Sequence, residues 1–343
     1  MNFKIPVLLG ASFLLLLSCN KKEETKDNNS HPDKTTTTQN DTLQAEEAPR
    51  KESINLFTLT YRDSTDVAFV SLSDIYPLND TASDTLALPN IEKMEKSASK
   101  YFTLEKKYRN HFLSKTNISE TDSLFVYDYA KNKLASFAIK NLKAAAWING
   151  YSSEEDWPYR RYDYMIGFEI SKQNLNGFGD YYSNVIVYAG KENPFAKGPL
   201  KPIVWKKIAR KEYPSKPMKA EDITALKNTI PGNTYSYTTE SHQYFLQDYL
   251  DSHKIIYTRR LLIADSKTKE IIIDKVYTQS EGTSPAPLNG ENGDESFDQY
   301  TGKLFKNKPE VVFGFQYESF GCPAISIIDK SNEDIYLQCD NRH

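Results

Sequence analysis

Carboxylates, basic residues and aromatic rings stand close together in one segment of this sequence. Glu154, Glu155 and Asp156 precede Trp157, and Tyr159-Arg160-Arg161-Tyr162 follows. Paired carboxylates beside an aromatic platform are the groups with which a glycoside hydrolase cleaves its bond. A surface hydrolase that uses the carboxylates of the 154–163 loop is therefore the alternative function, although an exposed loop of mixed charge is the simpler interpretation.

Histidines and known catalytic motifs give no stronger signal. The five histidines stand at positions 31, 111, 242, 253 and 343. The spacing of apolar residues predicts a helix over 241–253, on which His242 and His253 are too far apart to share a metal ion. Ser241 beside His242 suggests a hydrolytic triad with Asp248 or Asp251, but neighbouring residues on a helix point about 100° apart. The motifs HExxH, GxSxG, CxxC and the phosphate-binding P-loop do not occur. The sequence thus predicts no catalytic residue, no metal ion and no cofactor.

A basic segment beside an aromatic residue is a candidate binding surface. It contains Trp205, Lys206, Lys207, Arg210 and Lys211. Such a cluster suits anionic polysaccharide or lipid headgroups, and a solvated face is the simpler interpretation. The net charge of −3 gives the whole chain no field that would attract nucleic acid. We therefore expect no nucleic-acid partner.

Two of the three cysteines flank a predicted hairpin near the C-terminus. The residues between them read as a strand, a polar turn and a strand. We place Asp329 opposite Asp334 in this hairpin. Cys339 then lies opposite Ala324, two residues from Cys322. This arrangement predicts a disulfide between Cys322 and Cys339 that stabilises the fold by about 3 kcal/mol. A metal site is the alternative, but no third ligand stands beside the pair.

The remaining cysteine ends a short leader. Lys4 supplies a positive charge, Ile5 to Leu17 is apolar, and the leader closes with Leu16-Leu17-Ser18-Cys19. The apolar run falls short of the ~20 residues that a spanning helix needs. These residues resemble the signal peptide and lipobox of bacterial lipoproteins. The resemblance implies that residues 1–18 are removed and that Cys19 is acylated, with palmitate as the expected kind of chain. It also implies that these lipid chains anchor the protein to the membrane.

Polar residues follow the expected anchor. Lys22-Glu23-Glu24 resembles the surface-export signal of Bacteroidota lipoproteins, and an ordinary charged tether is the alternative. The resemblance implies an outer-membrane lipoprotein exposed at the cell surface, with a periplasm-facing orientation as the alternative. Residues 19–52 contain almost no apolar side chains, so they cannot bury enough surface to offset their ordering entropy. We expect them to form a disordered, lipidated stalk.

The rest of the chain reads mainly as strands joined by polar turns. An amphipathic helix is predicted near 90–115 with a break near Thr103, and short helices over 223–230 and 241–253. These elements predict a mainly β or α+β fold of antiparallel sheets with one long amphipathic helix. Three hairpins share a strand that ends in Asp, as propeller blades often do, but their irregular spacing makes a β-propeller only the alternative. The predicted strands cover 54–61, 67–72, 123–129, 134–139, 164–170, 185–188, 257–264, 270–277 and 311–317.

The domain organisation and composition complete the prediction. A β-rich region over 53–200 and a second over 220–343 are joined by a basic, proline-containing linker over 201–219. The 23 Tyr and 17 Phe residues suit half-buried sheets and also occur in sugar-binding faces. We expect a lipid-anchored cell-envelope protein with a non-catalytic binding or structural role. Its expected partners are the membrane, which it contacts through the lipid, and a glycan or an envelope protein. An inhibitor lipoprotein is a further class that the sequence leaves open.

Overall fold

Antiparallel strands account for most of the regular structure. A computed structural model of the chain describes residues 54–63, 65–79, 84–290 and 297–341. In this part of the chain the sheets have nine, five, five and two strands. The mainly β, α+β fold with antiparallel sheets is therefore confirmed, whereas unequal sheets do not resemble the repeated four-stranded blades of a propeller. The predicted signal peptide, Cys19 and the stalk lie outside the described residues.

The largest sheet takes strands from both predicted β-rich regions. Its order is β10-β17-β18-β20-β21-β1-β9-β5-β6. β1 lies in the middle, antiparallel to β9 and parallel to β21, so that Leu56 pairs with both Tyr188 and Leu337. Glu52–His343 thus forms one unit. The strands are β1 (Leu56–Thr58), β5 (Ser123–Asp128), β6 (Lys133–Ala138), β9 (Val185–Gly190), β10 (Lys201–Pro202), β17 (Tyr300–Gly302), β18 (Val311–Phe313), β20 (Ala324–Ile327) and β21 (Asp334–Gln338).

Two five-stranded sheets and one small ribbon complete the set. The first has the order β2-β3-β8-β7-β4, with strands β2 (Thr60–Tyr61), β3 (Val67–Ser71), β4 (Tyr101–Thr103), β7 (Ala144–Ile148) and β8 (Tyr164–Ser171). The second has the order β11-β12-β13-β14-β15, with strands β11 (Lys206–Ile208), β12 (Ile230–Thr238), β13 (His242–Leu250), β14 (Ile256–Asp265) and β15 (Ile271–Thr278). β16 (Thr283–Pro285) pairs with β19 (Gln316–Glu318).

The segment predicted as a linker, 201–219, contains regular structure. β10 and β11 both lie in it, and they belong to two different sheets. A turn of 3-10 helix, Arg210–Glu212, follows β11. This basic segment therefore runs from one sheet to the next within the unit Glu52–His343.

Helix occupies only part of the segments predicted to contain it. α2 (Lys106–Thr116) fills the second half of 90–115 and buries Tyr108, Phe112 and Leu113. The first half holds a 3-10 turn, the four-residue α1 (Lys96–Ser99) and then β4, because Tyr101 pairs with Trp147 at a sheet edge. α3 (Ala220–Ala225) begins three residues before the predicted short helix and ends well before Ile230. In the described part of the chain, no helix is long and apolar enough to cross a membrane.

The helix predicted over 241–253 is wrong. This segment forms β13, which pairs along its whole length with β12 on one side and β14 on the other. Tyr244 and Leu246 are fully buried, as alternate residues of a strand are, and Asp248 continues that series. Asp248 places a carboxylate where an apolar core residue is expected. It therefore interrupts the alternation of apolar residues along β13, and the remaining pattern resembles that of an amphipathic helix.

Alternation within single strands distributes the apolar side chains among several cores. In β9, Val185 and Val187 pack into a core that also contains Phe112 of α2 and Phe168 of β8. Ile186, which points to the other face, packs into a second core. That second core includes buried residues of β17, β18, β20 and β21. A third core lies on the sheet of β13 and β14.

Strand β14 carries two arginines on opposite faces, and each has a carboxylate partner. Arg259 is completely buried, and its Nε donates to Oδ1 of Asp248 at 3.0 Å. A further guanidinium N–H donates to the carbonyl of Ala286. Arg260 binds both carboxylate oxygens of Asp274, each at 2.9 Å. Desolvation in a core is tolerated because each charge is paired and hydrogen-bonded.

Candidate functional site

A cavity of about 820 Å³ opens between the nine-stranded sheet and the β16–β19 ribbon. Ten of its lining residues are aromatic, and its few charged residues are Lys275, Asp298, Glu318 and Asp334. Its wall includes residues as far apart in the sequence as Thr58 and Leu337. A concave, mainly apolar site with a small number of polar groups is the usual form of a ligand-binding pocket.

Three rings form a buried aromatic group in this cavity. Tyr129 meets Tyr300 edge to face, with ring centroids 5.1 Å apart, and meets Phe313 in the same way at 5.2 Å. Tyr300 stacks on Phe313 at 6.0 Å. Burial raises the pKa of both tyrosines, and the carboxylates of Asp128 and Asp298 act in the same direction. Both phenols therefore stay neutral, and both residues line the cavity.

Asp298 is held in place by a buried amide network. Its backbone N–H donates to Oδ1 of Asn289 at 2.8 Å. The neighbouring Gln299 is completely buried and donates to the carbonyls of Pro287 at 2.9 Å and Gly314 at 2.7 Å. Gly314 has a φ of +88°, and a Cβ atom there would lie 1.9 Å from the Asp298 carbonyl oxygen. Only glycine allows this close approach.

The four charged groups of the lining differ in their partners. Tyr317 donates its hydroxyl hydrogen to Oδ2 of Asp298 at 2.7 Å. The Lys275 ammonium binds Asp334 and also donates to Oγ of Ser326 at 2.8 Å. Burial raises the pKa of Glu318 above its ordinary value. The site therefore combines one internal ion pair with two carboxylates that belong to no ion pair among the described residues.

The rim of the cavity contains exposed rings and unusual backbone. Tyr336 is 61% exposed and Tyr181 is 73% exposed. Tyr181 and Tyr182 both have left-handed backbone, with φ of 54° and 57°. Such a conformation is uncommon for a non-glycine residue and is frequent at functional sites. Tyr61 supports this turn, since its ring meets that of Tyr181 edge to face at 5.2 Å.

The carboxylates of the 154–163 loop, on which the alternative hydrolase function depends, lie outside this cavity. Glu154 is exposed and binds Lys100, which holds the pKa of that carboxyl below its ordinary value. Asp156 is exposed too, and accepts from the backbone N–H of Ser153 at 2.6 Å as a helix cap. Glu155 is also exposed. All three carboxylates are therefore exposed, and none of them lines the cavity.

The predicted basic surface divides into an edge strand and a turn. Lys206 and Lys207 are exposed on β11, which is the edge of its sheet, and Arg210 and Lys211 are exposed just after it. Lysines on an edge strand discourage pairing with other chains, which accounts for their position without a ligand. Trp205 faces inward instead and meets Phe315 edge to face at 6.1 Å.

The cysteines near the C-terminus lie at disulfide distance. The Cα atoms of Cys322 and Cys339 are 5.6 Å apart. The predicted register of the hairpin is wrong by three residues, because Ala324 pairs with Tyr336. Continued past Ala324, the observed register places Cys322 opposite Gln338, one residue from Cys339, so the shift brings the two cysteines closer together. Cys322 also lines the cavity, so the disulfide closes one wall of the candidate site.

The histidines of the described residues serve local contacts. His111 lies 2.6 Å from Oδ2 of Asp84, and His242 lies 2.9 Å from Oε2 of Glu310. His253 is exposed beside Asp251. Within the described ranges no three His, Cys, Asp or Glu side chains form a group that could hold a metal ion.

The fold and the site together define a mainly β protein with an aromatic, acidic cavity. Compared with known proteins, the chain matches no protein-family model, no curated protein and no solved structure. The cavity residues were not identified from the sequence, because no short motif contains them. The abundance of tyrosine was the one signal that pointed towards such a surface.

Proposed function

We propose that this chain is a lipid-anchored cell-envelope protein that binds its ligand without catalysis, in the aromatic cavity. The observation that carries the proposal is the cavity itself, with ten aromatic residues and a few fixed polar groups. Pockets of several hundred Å³ with this composition are the default binding sites of proteins. The network around Gln299 fixes Asp298 before a ligand arrives, which lowers the entropy lost on binding.

A glycan is the ligand that the rim favours. The rings of Tyr181, Tyr317 and Tyr336 are partly exposed around one opening. A flat ring can stack against the apolar face of a sugar. Carboxylate groups accept hydrogen bonds from the hydroxyls of the sugar, and hydroxyl groups of the protein can both donate to them and accept from them. Tyr side chains supply this contact at a small entropic cost, because they have few rotatable bonds.

Removal of one exposed ring provides the test. The full chain, purified in detergent, is titrated calorimetrically with neutral, anionic and cationic oligosaccharides. For an oligosaccharide that binds, we expect Tyr336→Ala to weaken the affinity about tenfold, which is the size of one aromatic contact. Because the ring is largely exposed, its loss should change the free energy of unfolding by no more than about 0.5 kcal/mol.

Tyr151→Ala is the matched control. Tyr151 is 65% exposed and is not part of the cavity lining, so its removal should leave the affinity unchanged. Equal losses in both variants, or no binding by any oligosaccharide, would contradict glycan binding in the cavity. Recovery of a cleaved oligosaccharide from the titration would contradict the non-catalytic part of the proposal.

The anchor is tested separately at Cys19. The lipobox resemblance implies two or more acyl chains, which together hold a protein firmly to a bilayer. We expect Cys19→Ala to move the protein from the membrane fraction to the soluble fraction, and mass spectrometry of the native protein to find lipid on Cys19. If Cys19 of the native protein carries no lipid, the proposed anchorage in the cell envelope is contradicted, while the proposal that the cavity binds a ligand stands.

A further inference from the structure

The carboxylate of Asp298 contacts one phenol of the cavity and acts electrostatically on two more. Tyr317 donates to it at 2.7 Å. Its charge also acts on Tyr129 and Tyr300, whose rings meet at 5.1 Å. Three tyrosine residues that line the same cavity as this carboxylate give a partly apolar, electron-rich surface. Ring faces and carboxylates attract the same kind of group, a positive charge.

The charges of the lining do not balance. Asp298, Glu318 and Asp334 contribute three carboxylates, and Lys275 contributes the one ammonium group. That ammonium is engaged by Asp334 and Ser326. Among the described residues, no basic side chain forms an ion pair with Asp298 or Glu318. Carboxylates that are half-buried without a counter-charge are unfavourable, so a ligand that brings the missing charge gains from it.

We propose that the ligand carries an organic ammonium group, which binds at Asp298 against the rings of Tyr129, Tyr300 and Tyr317. This inference rests on the proposed function, that the cavity binds a ligand. An anionic ligand would be repelled by the excess of carboxylates. A metal ion would need several converging ligands, and the described residues contain no such group. An ammonium on an organic framework satisfies the charge and the apolar rings together.

Two pairs of probes test the charge, and the members of the second pair also have nearly the same shape. The first pair is a glucosamine tetramer and its N-acetylated counterpart, which have the same length and differ in charge. The second pair is choline and 3,3-dimethyl-1-butanol, which replaces the nitrogen of choline by carbon. The full chain is titrated with each probe at about pH 6, at which an amine with the pKa of an α-amino group, about 8, is protonated. We expect the charged member of at least one pair to bind at least about tenfold more tightly than its neutral partner.

Asp298→Asn identifies the group that recognises the charge. The amide oxygen can still accept from Tyr317, so the substitution keeps the local hydrogen bond and removes the charge. We expect the preference for the charged probe to fall to about twofold or less. Glu240→Gln is the control, because Glu240 is an exposed carboxylate outside the cavity lining and its loss changes the net charge equally. A preference that disappears in Asp298→Asn and persists in Glu240→Gln supports the proposal.

The two pairs also distinguish the sources of the ammonium group. Selective binding of the glucosamine tetramer indicates an amino sugar, and selective binding of choline indicates a quaternary ammonium such as a lipid headgroup. If the neutral member binds as tightly as the charged member in each pair, the proposal of an ammonium ligand is contradicted, while the proposal that the cavity binds a ligand stands. Lack of binding by all four probes also contradicts the proposal of an ammonium ligand. The oligosaccharide titrations with Tyr336→Ala then test the proposed function separately.

Discussion

Asp248→Ala is expected to lower the free energy of unfolding by about 3–5 kcal/mol. The reason is the position of its partner, because the side chains of Arg259 and Asp248 are only 2% and 1% exposed. Removal of the carboxylate leaves the guanidinium charge buried without its counter-charge. Such a charge cannot be relieved by deprotonation, since arginine remains protonated in proteins. The sheet of β12, β13 and β14 must therefore open or admit water.

Equilibrium unfolding in denaturant measures this loss. Glu270→Ala is the control, since Glu270 and Lys330 form an ion pair whose side chains are 56% and 73% exposed. An exposed pair contributes little, so this variant should lose no more than about 1 kcal/mol. If Asp248→Ala loses no more than the control does, the buried pair does not stabilise the sheet as we infer.

A second substitution separates the buried charge from lost packing. Arg259→Met in the Asp248→Ala background removes the uncompensated charge and keeps an apolar side chain of similar length. Replacement of a buried ion pair by apolar groups is often close to neutral. We therefore expect the double variant to recover part of the stability that the single variant loses. Further destabilisation would indicate that packing, or the bond to Ala286, dominates.

Local chemistry made the hairpins predictable from the sequence. Asp128 ends β5 and accepts from the backbone N–H groups of Ala130 and Lys131, at 3.1 and 2.8 Å. Asp265 ends β14 and accepts from Lys267 and Thr268 in the same way. Aspartate at a strand end stabilises a turn with its own following residues. These turns need no information from distant parts of the chain.

Long-range pairing explains what the sequence did not reveal. β1 pairs with β21, more than 270 residues later, and their pairing is parallel. Nothing in residues 56–58 specifies this partner, and yet it brings Thr58 and Leu337 into the same cavity wall. The candidate site was therefore not predicted from the sequence, in which only the abundance of tyrosine pointed towards such a surface. The predicted loop at 154–163 has the right residue types, but its position on the surface depends on contacts such as Glu154 with Lys100.

Loss of the disulfide should weaken both the fold and the site. The bond closes a loop with a sequence separation of 17 residues, and the chain-entropy model then gives about 3 kcal/mol of stability. We expect this loss in the double variant Cys322→Ser, Cys339→Ser, measured by equilibrium unfolding. A reductant should lower the stability of the natural chain to the same level and leave the variant unchanged. Stability that is equal with and without reductant in the natural chain would show that the bond contributes nothing.

The same variant connects the disulfide to binding. Cys322 and Pro323 line the cavity, and Tyr336 stands on the strand that the bond holds against β20. Without the bond, the end of β21 separates more easily from Pro323 and Ala324, so the exposed ring of Tyr336 is less well positioned for a ligand. We therefore expect the affinity for an oligosaccharide to fall about tenfold or more at temperatures where the variant is still folded. An unchanged affinity would mean that the pairing of β21 with β20 and β1 is enough to keep the shape of the cavity wall.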